Sequence, residues 1–105
     1  MTAAQCIPFA SAASDPDSRA VSGERLAAGL RRFVVDEEIA TEDGDLFEEV
    51  AAVIEGAFHV VAAGEAYDLS VGEGIIIPPG EPRRWRCTVA PGLLYQVHAH
   101  RDAKA

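Results

Sequence analysis

The stretch that decides the fold runs from Leu69 to Arg83 and reads LSVGEGIIIPPGEPR. Glycines flank a glutamate at positions 72–74, which is typical of a tight turn, and the three isoleucines that follow favour a strand. The three prolines cannot donate hydrogen bonds to a central sheet, so they indicate a rigid loop. The stretch therefore predicts a turn, a short strand over Gly74–Ile77 and a loop, with a new strand starting at Arg83.

The same pattern of short strands and turns continues on both sides of this stretch. From Gly56 onward, five runs with a period of two are separated by turn residues: Ala57–Ala62, Glu65–Leu69, Gly74–Ile77, Arg83–Val89 and Leu93–His100. Turn residues at 63–64, 70–73, 78–82 and 90–92 separate these runs. Regular short strands joined by tight turns predict an all-β antiparallel sandwich or barrel.

Upstream of Gly56 the local signals conflict. Leu46–Ile54 has apolar residues at helical spacing, and Asp45 followed by Glu48 has the pattern of a capping box, so this segment in isolation reads as a helix. Glu24–Leu30 is undecided between helix and strand. Residues 1–20 are rich in Ala, Ser, Asp and Pro and predict an N-terminal arm, flexible or exchanged with another subunit, ahead of a single domain over residues 21–105.

Length and composition exclude several classes of protein. The chain has 105 residues, 17 acidic and 9 basic side chains and a formal charge of −8, which argues against nucleic acid or an anionic membrane surface as partner. Two cysteines are too few for a disulfide scaffold, which fits a reducing compartment. No apolar run approaches the length of a membrane span, and no signal peptide is evident. We therefore expect a cytoplasmic protein with one domain.

The spacing of glycines and prolines resembles that of the cupin family of small β-barrels. Four positions match the spacing of the family's second motif: Gly72, Pro78, Gly80 and Arg83. Glu49, followed after six residues by Gly56, matches the end of the first motif. The resemblance covers Leu30 to Val97 and implies an antiparallel jelly-roll barrel that begins at Gly29 or Leu30.

The resemblance also bears on the segment whose local pattern is helical. In cupins the segment that ends at the glycine of the first motif is a strand leading into a tight turn. The resemblance therefore implies a strand over Phe47–Ile54, because tertiary context overrides the weak local preference for helix.

The residues that bind metal in cupins are mostly replaced here. The family's site uses two histidines one residue apart, a glutamate, and a histidine from the second motif. Glu49 occupies the glutamate position, whereas the paired positions fall at Asp43 and Asp45, or at Glu42 and Gly44. Arg83 takes the last position, and a guanidinium has no lone pair for a metal. We therefore expect no cofactor, with a divalent metal on Asp43, Asp45, Glu49 or His98 as the alternative.

Strand alternation predicts which side chains face a common pocket. Asp45, Phe47 and Glu49 share one strand face, and Arg83 shares a face with Trp85. In a closed barrel an Arg83–Glu49 ion pair would replace the metal, although charge clusters usually mark solvated surfaces. Seven residues are predicted to bind a ligand: Arg83, Glu49, Asp45, Phe47, Trp85, Tyr95 and His98.

Three functions remain open from the sequence. The first is a small-molecule-binding protein with a degenerate metal site and apolar pocket walls. The second is an enzyme, either a metal-dependent oxygenase or isomerase with altered ligands or a metal-free isomerase or lyase with Glu49 as base. The third is a structural or regulatory protein whose pocket its own side chains fill. We also expect a homodimer, with the apolar patch Cys6–Phe9 as a contact.

Overall fold

The structure is a computed structural model that describes residues 4–5, 19–41 and 47–99. Seven strands form in these ranges: β1 Arg19–Ser22, β2 Leu26–Phe33, β3 Glu38–Thr41, β4 Glu49–Ala62, β5 Glu65–Ser70, β6 Gly74–Ile77 and β7 Arg83–Ala99. All pairings are antiparallel and join one sheet. The prediction of an all-β antiparallel fold is confirmed. No helix capable of crossing a membrane occurs in these ranges.

Both segments with conflicting local signals contribute strands. The helical alternative for Leu46–Ile54 is wrong, because the chain is strand from Glu49 onward. The undecided segment Glu24–Leu30 contains a bend and then enters β2 at Leu26. Both strands pair with β7 along most of their length, and these backbone hydrogen bonds outweigh the weak local preference for helix.

The strand boundaries differ from the predicted ones at three places. Strands begin at Arg19, well before the predicted start at Gly29 or Leu30. The sequence pattern did not reveal β3, whose four residues include a single large apolar side chain. The predicted break over Ala90–Gly92 does not interrupt β7, which is one strand of 17 residues.

The predicted N-terminal arm is described only in part. Residues 1–3 and 6–18 lie outside the described residues, and so does the apolar patch Cys6–Phe9. Gln5 donates a hydrogen bond from its side-chain Nε2 to the carbonyl of Ser22, at 2.7 Å. Ala4 and Gln5 line a shallow groove together with Tyr95 and other residues of the outer sheet face. Ala4 and Gln5 therefore lie beside that face.

The two longest strands, β4 and β7, form a continuous ribbon at the centre of the sheet. The sheet order is β1-β2-β7-β4-β5, with β3 paired to β7 and β6 paired to β4. At one end of the ribbon Glu49 pairs with His98, and at the other end Ala62 pairs with Arg83. Every other strand except β1 pairs directly with this ribbon, so its shape determines the shape of the molecule.

The β4–β7 ribbon is folded over on itself. A flat strand with the 14 residues of β4 would be about 44 Å long at 3.4 Å per residue. Arg83 and Glu49 belong to opposite ends of the ribbon, yet Arg83 Nη1 lies 3.1 Å from Glu49 Oε1. Register shifts between Val53 and Phe58 mark the bend. The fold-over closes the barrel and brings its two ends together.

Gly56 lies at this bend. Its φ of 75° is in the left-handed region, where residues with a Cβ are strained. A Cβ on Gly56 would collide with the carbonyl oxygen of Val89 and would lie 2.6 Å from that of Pro91. Both oxygens belong to β7, so only glycine allows the two strands to approach this closely at the bend.

The inner face of the barrel is filled with apolar side chains at one end. Phe33, Phe58 and Trp85 are each 1% exposed or less. Phe58 contacts both other rings edge-on, with centroids 4.9 Å from Phe33 and 6.0 Å from Trp85. Burial of side chains of this size contributes about 1.5–3 kcal/mol each. This cluster stabilises the folded ribbon and leaves the other end of the inner face free for a pocket.

We predict that Gly56→Ala destabilises the protein much more than Gly64→Ala. Gly64 has nearly the same φ, 76°, but a Cβ at that position would have no neighbouring atom within 4 Å. Gly64→Ala should therefore cost about 1 kcal/mol, whereas Gly56→Ala adds a backbone collision and should cost more than about 3 kcal/mol. Urea unfolding of both variants measures the difference. Equal losses would show that Gly56 matters only for its backbone angle.

Candidate functional site

A cavity of about 370 Å³ lies at the end of the inner face that the aromatic cluster does not fill. Part of its wall consists of small residues, namely Ala20 of β1 and Ala27 and Gly29 of β2. Phe47, just before β4, adds an aromatic surface. The volume lies at the lower end of the range of about 300–1,000 Å³ that is usual for small-molecule sites.

Sheet register explains why there is space at this end. Gly29 of β2 is the register partner of Gln96, whose partner on the other side is Ala51 of β4. Two residues further along β7, His98 has Ala27 of β2 as its register partner on one side and Glu49 of β4 on the other. The strands next to β7 thus place mostly small residues beside Gln96 and His98. The polar side chains of β7 and β4 therefore border an open volume.

Glu49 is the central polar group of this cavity. It is 8% exposed, and its carboxylate accepts one hydrogen bond at each oxygen. Arg83 Nη1 donates to Oε1 at 3.1 Å, and Gln96 Nε2 donates to Oε2 at 2.8 Å. A carboxylate this deeply buried needs a compensating charge, and the Arg83 guanidinium provides it. The predicted Arg83–Glu49 ion pair is therefore present in the structure.

Arg83 is held in place by backbone carbonyls as well as by Glu49. Its Nε donates to the carbonyl of Glu81 at 3.2 Å, and its Nη2 donates to the carbonyls of Glu81 and Pro78 at 2.9 and 3.3 Å. Both carbonyls belong to the proline-rich loop between β6 and β7. Arg83 is 6% exposed, and its guanidinium is fixed on two sides.

Comparisons with solved structures identify the architecture. KdgF from Halomonas sp. superposes with a TM-score of 0.71 at 20% identity, over 81% of this chain and 79% of that one. An RmlC-like cupin from Shewanella frigidimarina gives 0.68 at 22% identity, over 84% and 81%. A cupin protein from Bacteroides fragilis gives 0.72 at 12% identity, over 100% and 91%.

The chain has the cupin fold. The jelly-roll barrel that the sequence predicted is thereby confirmed. No family model matches the sequence, and no curated protein matches it. At these levels of identity the structural likeness defines the architecture, and the functional argument depends on the side chains in the cavity.

The described residues do not fit the metal site of cupins. By motif spacing Arg83 takes the position of the second-motif histidine, and its guanidinium, which has no lone pair for a metal, donates to Glu49. Among the described residues, no three histidine, cysteine, aspartate or glutamate side chains form a cluster that could hold a metal ion. Asp43 and Asp45, the alternative oxygen ligands, lie outside the described residues.

The predicted site residues divide into three groups. Arg83, Glu49, Phe47 and His98 line the same cavity. Asp45 lies outside the described residues. Trp85 and Tyr95 are placed elsewhere, so the expectation that they form the pocket walls is corrected.

The physical reasons for the two misplaced aromatic residues differ. Trp85 faces inward as predicted, but it is 1% exposed and belongs to the aromatic cluster at the other end of the inner face. Tyr95 alternates with Gln96, which lines the cavity, so Tyr95 lies on the outer face, where it packs against Leu30 and Leu93. Alternation predicts the face of a strand, whereas position along the bent ribbon decides which end of that face a residue occupies.

Gln96 is the functional candidate that sequence reasoning missed. It shares the parity of His98 on β7, and this signal was available in the sequence. Its hydrogen bond to Glu49 depends on the register between β7 and β4, in which Gln96 is the partner of Ala51, two residues from Glu49. No sequence motif encodes that register. Gln96 can therefore be identified as a site residue only from the folded barrel.

Cys87 is not suited to nucleophilic catalysis. It is fully buried in the aromatic cluster, and its Sγ lies 3.4 Å from the carbonyl oxygen of Val89. Burial raises the pKa of the Cys87 thiol, and the nearby carboxylates of Glu37 and Asp36 raise it further. A thiol in this state is not the thiolate that nucleophilic attack requires.

We predict that Glu49→Gln destabilises the barrel far more than Glu38→Gln. Removing one charge from a buried ion pair costs about 3–5 kcal/mol, and the side chains of Arg83 and Glu49 are only 5% and 10% exposed. We expect about 3 kcal/mol, because the backbone carbonyls that bind Arg83 remain and partly compensate it.

Glu38 provides the matched control for this measurement. It pairs with Arg84 at 3.9 Å, and both side chains are about half exposed, so Glu38→Gln should cost less than about 1 kcal/mol. Chemical denaturation of both variants gives the two free energies of unfolding. Equal values would mean that the ion pair does not hold the two ends of the ribbon together.

Proposed function

We propose that the protein binds one small organic molecule in the cavity bordered by Glu49, Arg83 and Gln96. The observation that carries the proposal is a buried, hydrogen-bonded polar cluster on one side of an open volume with small and apolar walls. Small-molecule sites combine mostly apolar surface with a few well-placed polar groups. A cytoplasmic location is part of the proposal and is supported by the low cysteine content and the buried free thiol of Cys87.

A purely structural role for the polar cluster is less well supported. If the cluster served only to close the barrel, apolar residues of matching volume would do so at lower cost in desolvation. The described side chains also leave about 370 Å³ open next to Glu49 instead of filling it. An open volume beside a desolvated carboxylate favours a binding role.

A screen for thermal stabilisation with a library of small metabolites tests the proposal. We expect at least one compound to raise the melting temperature, because a ligand at 100 times its dissociation constant stabilises a protein by about 2.7 kcal/mol. Ala27→Phe should abolish the effect by filling the cavity. Ala66→Phe, on the exposed strand β5, is the matched control and should retain it. Compounds that still raise the melting temperature of Ala27→Phe would bind outside the cavity.

An enzymatic role is the second candidate, and one observation favours it. Glu49 and His98 are register partners across the β4–β7 ribbon, and both line the cavity. A carboxylate and an imidazole at one site are common general acid–base groups. Conversion of a bound compound by the wild type, and its loss in Glu49→Gln, would establish catalysis. Metal analysis of protein purified without chelator separates a metal-free isomerase or lyase from a metal-dependent one.

We also propose that the protein forms a homodimer through one surface of the outer sheet face. One row of apolar residues crosses five neighbouring strands on the outer sheet face: Ile76, Val50, Val97, Ala28 and Val21. Ile76 and Val50 are 63% and 47% exposed. The row is about 19 Å wide at 4.8 Å per strand.

The net charge of −8 opposes contact between two copies through their acidic surfaces and leaves this uncharged face as the least repulsive contact. Two acidic molecules repel each other least where the contacting surfaces carry no carboxylates. The apolar row meets that condition, and a two-fold axis would place each row against the other in a self-complementary contact. We therefore propose that the outer apolar row forms the dimer interface.

Light scattering at micromolar concentration tests the interface. We expect twice the monomer mass for the wild type and the monomer mass for Val50→Lys, because a lysine would bury an unpaired charge in the contact. Val34→Lys is the control, since Val34 is 68% exposed but lies outside the row. A monomeric wild type, or a dimeric Val50→Lys, would contradict the proposal.

A further inference from the structure

The hydrogen-bonding groups of the cavity indicate what kind of molecule it takes, given the binding role proposed above. Arg83 is the only arginine that lines the cavity in the described part of the chain. A guanidinium has five N–H donors. Four of them are directed to Glu49, Glu81 and Pro78. Arginine recognises carboxylates and phosphates with two parallel N–H groups, and Arg83 has no such pair left.

Acceptors, by contrast, remain available around the cavity. A carboxylate has about four acceptor positions, and the described residues fill two of those on Glu49. Gln96 donates its Nε2 to Glu49, and no described residue donates to its Oε1. The imidazole of His98 adds a further acceptor in its neutral form. The remaining donors are one N–H each of Arg83, Gln96 and His98 and the hydroxyl of Thr41, which also accepts. The cavity therefore presents more acceptor positions than donors.

The charges at the site already balance. Glu49 and Arg83 neutralise each other at 3.1 Å, so neither has a counter-charge to offer a ligand. An anion would have to lie next to the Glu49 carboxylate without a free arginine fork. An ammonium group that binds Glu49 would lie within a few ångströms of the Arg83 guanidinium, which repels it. A charged ligand would also lose hydration where it contacts the buried Glu49–Arg83 pair, which adds a desolvation cost.

We infer that the cavity binds an uncharged molecule that donates several hydrogen bonds, and that Gln96 selects for it. A small polyol or a neutral sugar has this chemistry, since each hydroxyl donates one hydrogen bond and its carbons can contact the alanines and Phe47. Gln96 is the specificity-determining residue, because its amide donates to Glu49 and thereby leaves its carbonyl for the ligand.

Amide chemical-shift titrations of the ¹⁵N-labelled protein test this inference. The probes are five- and six-carbon polyols, the matching aldonates, the matching amino polyols and O-methylated polyols, each at millimolar concentration. We expect at least one polyol to shift the amides of Gly29, Phe47 and Gln96. Its aldonate, amino and O-methylated counterparts should bind at least about tenfold more weakly, which is the effect of about 1.4 kcal/mol.

Two variants examine the role of the acceptors. Gln96→Leu removes the Oε1 acceptor and should weaken polyol binding about tenfold, the size of a lost hydrogen bond in a buried site. If this variant fails to fold, His98→Phe, at an exposed position on the rim, removes a different acceptor and should weaken binding about threefold. Asp68→Asn, on the exposed surface of β5, should leave binding unchanged.

The outcomes distinguish this inference from the proposed function. Tighter binding of an aldonate or an amino polyol at the same amides would overturn the neutral-donor inference while supporting a small-molecule site. Equal binding of the O-methylated compounds would show that donation does not matter and would also overturn it. If no compound of the panel shifts these amides, the inference fails, whereas a metabolite hit that Ala27→Phe abolishes would still support the proposed function.

Discussion

The bend of the β4–β7 ribbon at Gly56 is the constraint on which the rest of the structure depends. Two long antiparallel strands would keep their ends tens of ångströms apart if they stayed flat. At Gly56 the backbones of the two strands come so close that a Cβ would collide with a carbonyl of β7. The fold-over buries the aromatic cluster at one end of the barrel's inner face. At the other end of that face it brings Arg83 next to Glu49. Core and candidate site are therefore two consequences of one bend.

A fixed organic cation, the Arg83 guanidinium, takes the motif position at which the cupin pattern has a histidine, and it lies beside Glu49. Arg83 reaches this place because the carbonyls of Pro78 and Glu81 bind its guanidinium from the loop before β7. Proline fixes φ at three positions of that loop and so restricts its backbone. The replacement changes the chemistry of the pocket. A guanidinium with four of its five N–H groups engaged, beside a carboxylate, leaves mainly acceptors for a ligand to use.

Much of the site was predictable because it depends on short-range spacing. Strand parity grouped Phe47 with Glu49 on one face, the cupin-like motifs paired Glu49 with Arg83, and all three side chains line the cavity. Parity alone could not separate the two ends of the inner face, which is why it predicts Trp85 in the pocket although that side chain lies in the core.

The sequence by itself determined the all-β class, the turns at Gly72 and Gly80, and the chemical identity of the buried pair. These features depend on residue types and on local backbone preferences that act within a few positions. The tertiary structure decided between the two readings of the segment before Gly56, helix from its local pattern and strand from the cupin resemblance, and it alone showed that Gln96 completes the polar cluster. Both results follow from hydrogen bonds between strands that are distant in sequence, and the energy of those contacts exceeds the local preferences that a linear pattern records.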